Sequence, residues 1–200
     1  MKQQFCKNEK LKIGIFGSHG TGKSTLAKEI SSYFELPLVD KTMRQMWQDH
    51  GVEDFEKLPS QVRKIFQYKA ILTQIHREDV HREGFVTDRT VLDNLAYTID
   101  SSQISDLELD FYKALVRERI KNYTHLIYLP IQFSFEEERL RASKKSQKSV
   151  ALIIENLISE FFSADLDKDL HKGKLLQVDG NLQERFTQVK NFINLSRSSI

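Results

Sequence analysis

The chain has 200 residues, 40% of them apolar, and a formal net charge of +2, which suit one domain with a full core and point to no polyanionic partner. A single cysteine, Cys6, excludes an internal disulfide, and no apolar run approaches the roughly 20 residues that span a bilayer. The polar start MKQQFCKNEK lacks the apolar stretch of a secretory leader, so the expectation is one cytoplasmic domain over residues 1–200, without membrane contact, after a tail at 1–10.

The first expected strand is Leu11–Phe16, and it runs directly into Gly17-Ser18-His19-Gly20-Thr21-Gly22-Lys23-Ser24. This is the GxxxxGK[ST] phosphate loop, and each fixed position has a physical reason. Gly17 and Gly22 allow a turn that a Cβ would penalise. Gly20 keeps side chains away, so that backbone N–H groups can face phosphate oxygens. Lys23 sets a compact cation against the β- and γ-phosphates, and the Ser24 hydroxyl is a Mg²⁺ ligand. The helix that follows carries Leu26, Ile30 and Phe34 on one face and turns its positive N-terminal end to the anion. Gly17, His19, Gly20, Thr21, Gly22, Lys23, Ser24 and Thr25 are therefore the candidate ATP contacts. A Gly-rich turn matching by chance would lack the strand before and the helix after.

The second expected strand is Leu36–Val39, followed by Asp40-Lys41-Thr42-Met43-Arg44. From the residues alone Asp40 reads as the cap of a helix holding Met43, Met46 and Trp47; the resemblance given below adds the reading of a base toward an acceptor. Trp47, Phe55 and Tyr97 are candidates to stack on a planar ring, or simply core. A helix beginning near Ser60 carries Val62, Ile65, Phe66, Leu72 and Ile75 as its expected apolar face.

Strand three, Gly84–Thr87, leads into Asp88-Arg89-Thr90 and then Val91-Leu92-Asp93-Asn94. A carboxylate closing a strand beside the phosphate loop can hold Mg²⁺ or take a hydroxyl proton, and Arg89 can reach a phosphate or the acceptor. The alternative is a helix-capping Asp88 paired with Arg89. Strand four is Thr124–Leu129. Beyond Pro130, Ser134-Phe135-Glu136-Glu137 reads as a capping box, and Arg139, Arg141, Lys144, Lys145 and Lys148 follow with no acid among them. That cluster suits a transition state with spread negative charge, a nucleic-acid backbone, or a solvated helix face. A helix with Val150, Ile153, Ile154, Leu157, Ile158 and Phe161, a strand Lys174–Val178 and a last helix with Phe186, Val189, Phe192 and Ile193 complete the chain. Strand and helix alternating throughout predict an α/β fold around a five-stranded parallel sheet, with ligands at the carboxyl ends of its strands. His76 and His81 have no metal-site spacing.

The stretches GSHGTGKST, VTDRTVLDNLAY and YLPIQFSFEEERLR together resemble the small P-loop kinases of the AAA_28/NadR-like group, over Lys12 to about Phe162. That group includes a ribosylnicotinamide kinase domain and phage-encoded relatives, and the DRT stretch is also similar to the DRS motif of deoxynucleoside kinases. The resemblance implies a P-loop α/β/α fold with sheet order 2-3-1-4-5 and a helical lid at about 134–149. It implies ATP and Mg²⁺ as cofactors and γ-phosphoryl transfer to a nucleoside- or nucleotide-like small molecule. Carried over by position, Lys23, Asp40, Asp88 and the lid's Arg141 are catalytic, with Arg139 beside Arg141 on the ATP. Asp40, Arg44, Arg89 and Asp93 face the acceptor, and Ser24 and Asp88 the metal. Two alternatives stand: a kinase acting on 5-hydroxymethyluracil within DNA, and a nucleotide-dependent switch with slow hydrolysis. The protein would act as a monomer or homodimer.

Overall fold

A computed structural model describes residues 10–40, 43–101, 104–132, 144–162 and 174–197. Its five strands are β1 (Lys12–Phe16), β2 (Leu38–Val39), β3 (Phe85–Asp88), β4 (His125–Tyr128) and β5 (Leu175–Gln177). All pair in parallel in the order β2-β3-β1-β4-β5, as the resemblance implied. β1 is thus central, with β3 on one side and β4 on the other, and the phosphate loop leaves the middle of the sheet.

Side chains alternate along each strand, and both faces are dry. Ile13 and Ile15 of β1 join Val86, Ile127 and Leu129 in a core closed by α1 (Lys23–Phe34) and the last helix, α7 (Leu182–Arg197). Leu26, Ala27 and Ile30 come from α1, and Phe186, Val189 and Ile193 from α7. Phe16, Phe85, Leu126 and Tyr128 point the other way. They meet α3 (Ser60–Val80), α4 (Val91–Ser101), α5 (Asp106–Ile120) and α6 (Lys144–Phe161) in a second core. A short α2 (Met43–Asp49) follows β2. Two cores on opposite faces of one sheet give the three-layer α/β/α arrangement.

Two helices differ from the sequence expectation. In α3, Ile65 and Leu72 are 65% and 60% exposed, and the buried face is Gln67, Ala70, Ile71, Gln74 and Glu78. An apolar stripe was expected; a mostly polar one faces inward because its members bond one another. Gln74 Nε2 donates to Glu78 Oε1 at 2.7 Å, Tyr123 donates its hydroxyl to the same oxygen at 2.7 Å, and Arg119 of α5 donates to Glu78 Oε2 through Nε and Nη2 at 3.2 and 3.1 Å. Arg119 Nη1 also reaches Asp79 at 2.7 Å. The second difference is α5 itself, which was not anticipated. Ser105 and Glu108 form its capping box, and Tyr112, Val116 and Ile120, one turn apart, bury its inner edge. Leu107 and Phe111 blur the pattern because they lie on its outer side, 81% and 68% exposed.

The Glu78 side chain is fully buried, and desolvation raises its pKa against the opposing pull of Gln74, Tyr123 and Arg119. Breaking a buried pair by removing one partner costs about 3–5 kcal/mol. Arg119→Met should therefore lose stability in that range by urea unfolding at pH 8. A carboxyl with a raised folded pKa favours the folded state when protonated, and that contribution fades as pH rises through the folded value. The loss should accordingly shrink at pH 5, and equal losses at both pH values would mean that the Glu78 charge is not what Arg119 balances.

Candidate active site

The phosphate loop is built on close approaches. At Gly17, φ is +146° and a Cβ would overlap the Leu129 carbonyl oxygen. At Gly14 a Cβ would stand 2.7 Å from Thr90 Cγ2, so the bare backbone lets the turn after β3 lie against β1. That turn is tied to the loop by Asp93. Its Oδ1 accepts from Gly17 N at 3.0 Å, and its Oδ2 accepts from Thr90 N at 2.7 Å and Thr90 Oγ1 at 3.2 Å. Asp93 is wholly buried, and burial raises its pKa although Lys23 and Arg89 pull it down. Asp93 was expected to face an acceptor; in the structure its oxygens bond the phosphate loop and the backbone and side chain of Thr90.

Lys23, 5% exposed, donates to Ser18 O at 2.5 Å, and Thr21 Oγ1 donates to the same carbonyl at 3.0 Å. Desolvation lowers the Lys23 pKa to about 8; Asp93 and Asp88 oppose that shift and Arg89 adds to it. Lys23 thus sits in a field shared by three charged neighbours. Gly20, Gly22, Ser24 and Thr25 are exposed, leaving the rim of the loop and the Ser24 hydroxyl open.

Asp88 closes β3 opposite Ile15 of β1, one strand from the loop. Its Oδ1 is buried and has no hydrogen-bond partner, as has Ser18 Oγ inside the loop. Buried polar atoms are nearly always paired, so these two orphans, one in the loop and one at the end of the adjacent strand, are candidate ligand contacts. Arg89 has φ +99°, a strained value for a side-chain-bearing residue. Its N donates to Ile15 O at 3.0 Å, and its own carbonyl accepts from Thr87 Oγ1 at 2.7 Å, which holds the twist. The guanidinium lies 4.9 Å from the Tyr97 ring centroid. Burial works against the Arg89 charge, but Tyr97, Asp93 and Asp88 outweigh it and raise the pKa.

Tyr97 has a further neighbour in His19 Nδ1 at 3.4 Å, and the His19 carbonyl accepts from Gln147 Nε2 of α6 at 2.7 Å. Ser146 adds a bond to Asp100 of α4 at 3.1 Å. The first turn of α6 is thereby fastened to both the phosphate loop and α4. Trp47 stacks on Phe55 with centroids 4.8 Å apart, so both rings have protein partners, as Tyr97 has in Arg89.

Asp40 lies just past β2, which pairs with β3 and not with β1. Its carbonyl accepts from Arg77 Nη1 at 2.9 Å. Asp40 therefore stands about 10 Å, two strand spacings, from the loop-bearing strand. Arg44 falls within α2, while Arg139, Arg141, most of the expected lid at 134–149 and the first nine residues lie outside the described residues. Among the described residues no group of three His, Cys, Asp or Glu side chains forms a metal cluster, and no helix is long and apolar enough to cross a membrane. One residue absent from the sequence expectation joins the site: Arg185 of α7, which donates to the Thr21 carbonyl at 2.7 Å.

The family model for the AAA domain AAA_28 matches residues 12–185. No curated protein matches the chain. Among solved structures it is similar to the deoxyadenosine kinase of M. mycoides with dCMP and a flexible dCDP bound, at 18% identity and TM-score 0.67, covering 92% of this chain and 99% of that one. It is also similar to a NadR protein in complex with NR, at 13% identity and TM-score 0.68, where 92% of this chain covers 50% of the other. A third relative is the YorR protein of Bacillus subtilis in complex with phosphorylated GDP, at 16% identity and TM-score 0.53, covering 93% and 97%. The matched span and the shared architecture agree: the chain belongs to the AAA_28 family and has the fold of the NadR-like small P-loop kinases.

Proposed function

We propose that the protein is an ATP- and Mg²⁺-dependent phosphotransferase that moves the γ-phosphoryl group of ATP to a hydroxyl of a nucleoside- or nucleotide-like acceptor. The observation that carries this reading is the orphaned, buried Asp88 Oδ1 on the strand beside the phosphate loop, in the same field as Lys23. A hydrolytic switch can use the same carboxylate for Mg²⁺, so the acceptor panel below is what separates transfer from hydrolysis. The relatives' own ligands, dCMP, NR and a guanosine nucleotide, support the acceptor class.

The donor set suits Mg²⁺. This ion is held by one or two protein oxygens together with phosphate oxygens, and Asp88 and the exposed Ser24 hydroxyl are such oxygens. When bound, the ion neutralises charge developing on the β- and γ-phosphate oxygens. Lys23 gives up Ser18 O to donate to phosphate. Arg89, held aloft by its positive φ, donates to the transferring group or the acceptor. Asp88 accepts the proton of the acceptor hydroxyl directly or through water, and Asp40, one strand further out, orients the acceptor. Arg139 and Arg141 keep their assigned lid role on the ATP from the sequence alone.

ATP consumption with Mg²⁺ across nucleosides, nucleotides, ribosylnicotinamide and DNA with or without 5-hydroxymethyluracil tests the reading. Stimulation by one small acceptor is expected; stimulation by DNA alone would move the acceptor to the DNA base, and none at all would sink the transferase assignment. Asp88→Asn should lower kcat about 10²–10⁴-fold, the span of a lost general base, with ATP affinity within about threefold of wild type. Equal turnover would return Asp88 to a structural role.

Lys23→Ala should weaken ATP binding on the order of 100-fold, since truncating one partner of a buried charge pair costs several kcal/mol. The pH dependence has a definite sign. Phosphate oxygens favour the charged ammonium, so binding raises a pKa that stands at about 8 in the free protein. Above pH 8 binding must take up a proton, and affinity should fall by about tenfold per pH unit. Calorimetry in buffers of different ionisation enthalpy would show that uptake at pH 9, and its absence would mean that Lys23 does not meet the phosphates.

A further inference from the structure

We infer that Arg185 is a positioning residue for phosphate binding, which acts through the Thr21–Gly22 peptide and not by touching the nucleotide. The inference rests on the reading of Gly17–Ser24 as the ATP site. Arg185 is 4% exposed, in the first turn of α7 and 164 residues from the loop it supports. Its guanidinium is held on two sides. Nη1 donates to Thr21 O at 2.7 Å and Nη2 donates to Gln132 Oε1 at 2.7 Å. Nη1 also lies 3.3 Å from where a Cβ on Gly22 would project, so the cation backs directly onto the loop.

The holding groups are fixed in turn. Gln132 follows β4, and its Oε1 also accepts from Gly180 N at 3.0 Å after β5. The start of α7 is set by a reciprocal cap, in which Glu184 N donates to Asn181 Oδ1 at 3.1 Å and Asn181 N donates to Glu184 Oε2 at 2.7 Å. Arg185 therefore cannot follow the loop if the loop moves; the loop is held to Arg185.

The consequence follows from peptide geometry. No cis bond occurs among the described residues, and in a trans peptide the C=O and the next N–H point in opposite directions. Fixing Thr21 O outward, toward α7, aims the Gly22 N–H inward, toward the hollow where the loop's donors converge on an anion. A plane free to turn would offer phosphate a carbonyl oxygen as readily as an N–H. The guanidinium also remains charged, because burial lowers its pKa from a value far above neutrality. A desolvated cation behind the loop adds to the positive potential on its inner side.

The test measures binding of ATP–Mg²⁺ and of inorganic tripolyphosphate, which reports on the phosphate cradle without a base, alongside thermal unfolding. Arg185→Met should weaken tripolyphosphate binding about 10–100-fold, the worth of one hydrogen bond to a charged group. Arg185→Lys, which keeps one donor for Thr21 O, should recover most of it. In amide NMR spectra the Gly22 N–H should shift downfield on tripolyphosphate addition in the wild type and not in Arg185→Met. A merely structural arginine would lower Tm and leave both the affinity of the folded protein and the Gly22 shift unchanged, which would overturn the inference. Should Arg185→Met not fold, Gln132→Ala decides: it frees one side of the guanidinium and should cost tripolyphosphate affinity several-fold, and unchanged affinity would refute the role. A wild-type protein that binds neither probe would instead remove the ATP-site reading beneath it.

Discussion

The buried carboxylate of Asp93 is the constraint around which the rest of the site is arranged. One oxygen takes the N–H that opens the phosphate loop, and the other takes the N–H of the turn after β3. A single planar group thus fixes the spacing of the two segments. Hydrogen bonds to backbone N–H groups favour the carboxylate, while complete burial disfavours it. Lys23 and Arg89 act on the side of the carboxylate, each lowering its pKa against the burial. Asp93 thus both joins the two segments and carries the charge that faces Lys23 and Arg89.

Around it, strain and support are paired. The positive φ of Arg89 costs on the order of 1–3 kcal/mol. It persists because the residue is held from both ends, by Ile15 O and by Thr87 Oγ1. Thr87 in turn accepts from Gln74 Nε2 at 2.6 Å, and Gln74 bonds Glu78, which bonds Arg119. A polar chain therefore runs along the inner face of α3, from the far end of the sheet to the twisted turn. A buried ion pair is a weak source of net stability, and apolar side chains of similar volume would pack as well. What they would lack is directed donors, which the strained turn requires. That is the physical reason for a polar inner face on a helix whose neighbours are otherwise packed through Tyr112, Val116 and Leu95.

How much of this was legible in the sequence depends on the range of the interactions. The strands and the phosphate loop rest on contiguous residues, and the Gly17–Ser24 pattern could be read because its fixed positions fall within eight consecutive residues, although Gly17 is also required by the distant Leu129 carbonyl. The inner face of α3 could not. Ile65 and Leu72 advertise an apolar stripe, while Gln74 and Glu78 become core residues through Thr87, Tyr123 and Arg119, up to 45 positions away. α5 did carry a local signal, the Ser105–Glu108 capping box, masked by the exposed Leu107 and Phe111. In the sequence Asp93 stands out as an acceptor contact but not as a tie to the loop, and Arg185 does not stand out at all. Their roles come from meeting Gly17 and Thr21 across 76 and 164 residues.

The donor side is consequently over-determined, and the acceptor side is not. The phosphate loop is gripped from three directions: by α4 through Asp93, by α6 through Gln147 and by α7 through Arg185. Fixed N–H groups and a cation aimed at phosphate act without reorganising when charge develops, which is the condition under which electrostatic stabilisation is largest. Within that frame Lys23 bonds a loop carbonyl that a bound phosphate could replace. It is poised by burial near pH 8 and rests on a carbonyl that a phosphate oxygen outcompetes as an acceptor, because that oxygen carries charge. On the proposed acceptor side, by contrast, Asp40 and Arg89 follow separate strands, β2 and β3. In the proposed reaction the loop would hold a phosphate chain whatever the acceptor, and the segments after β2 and β3 would be left to choose it.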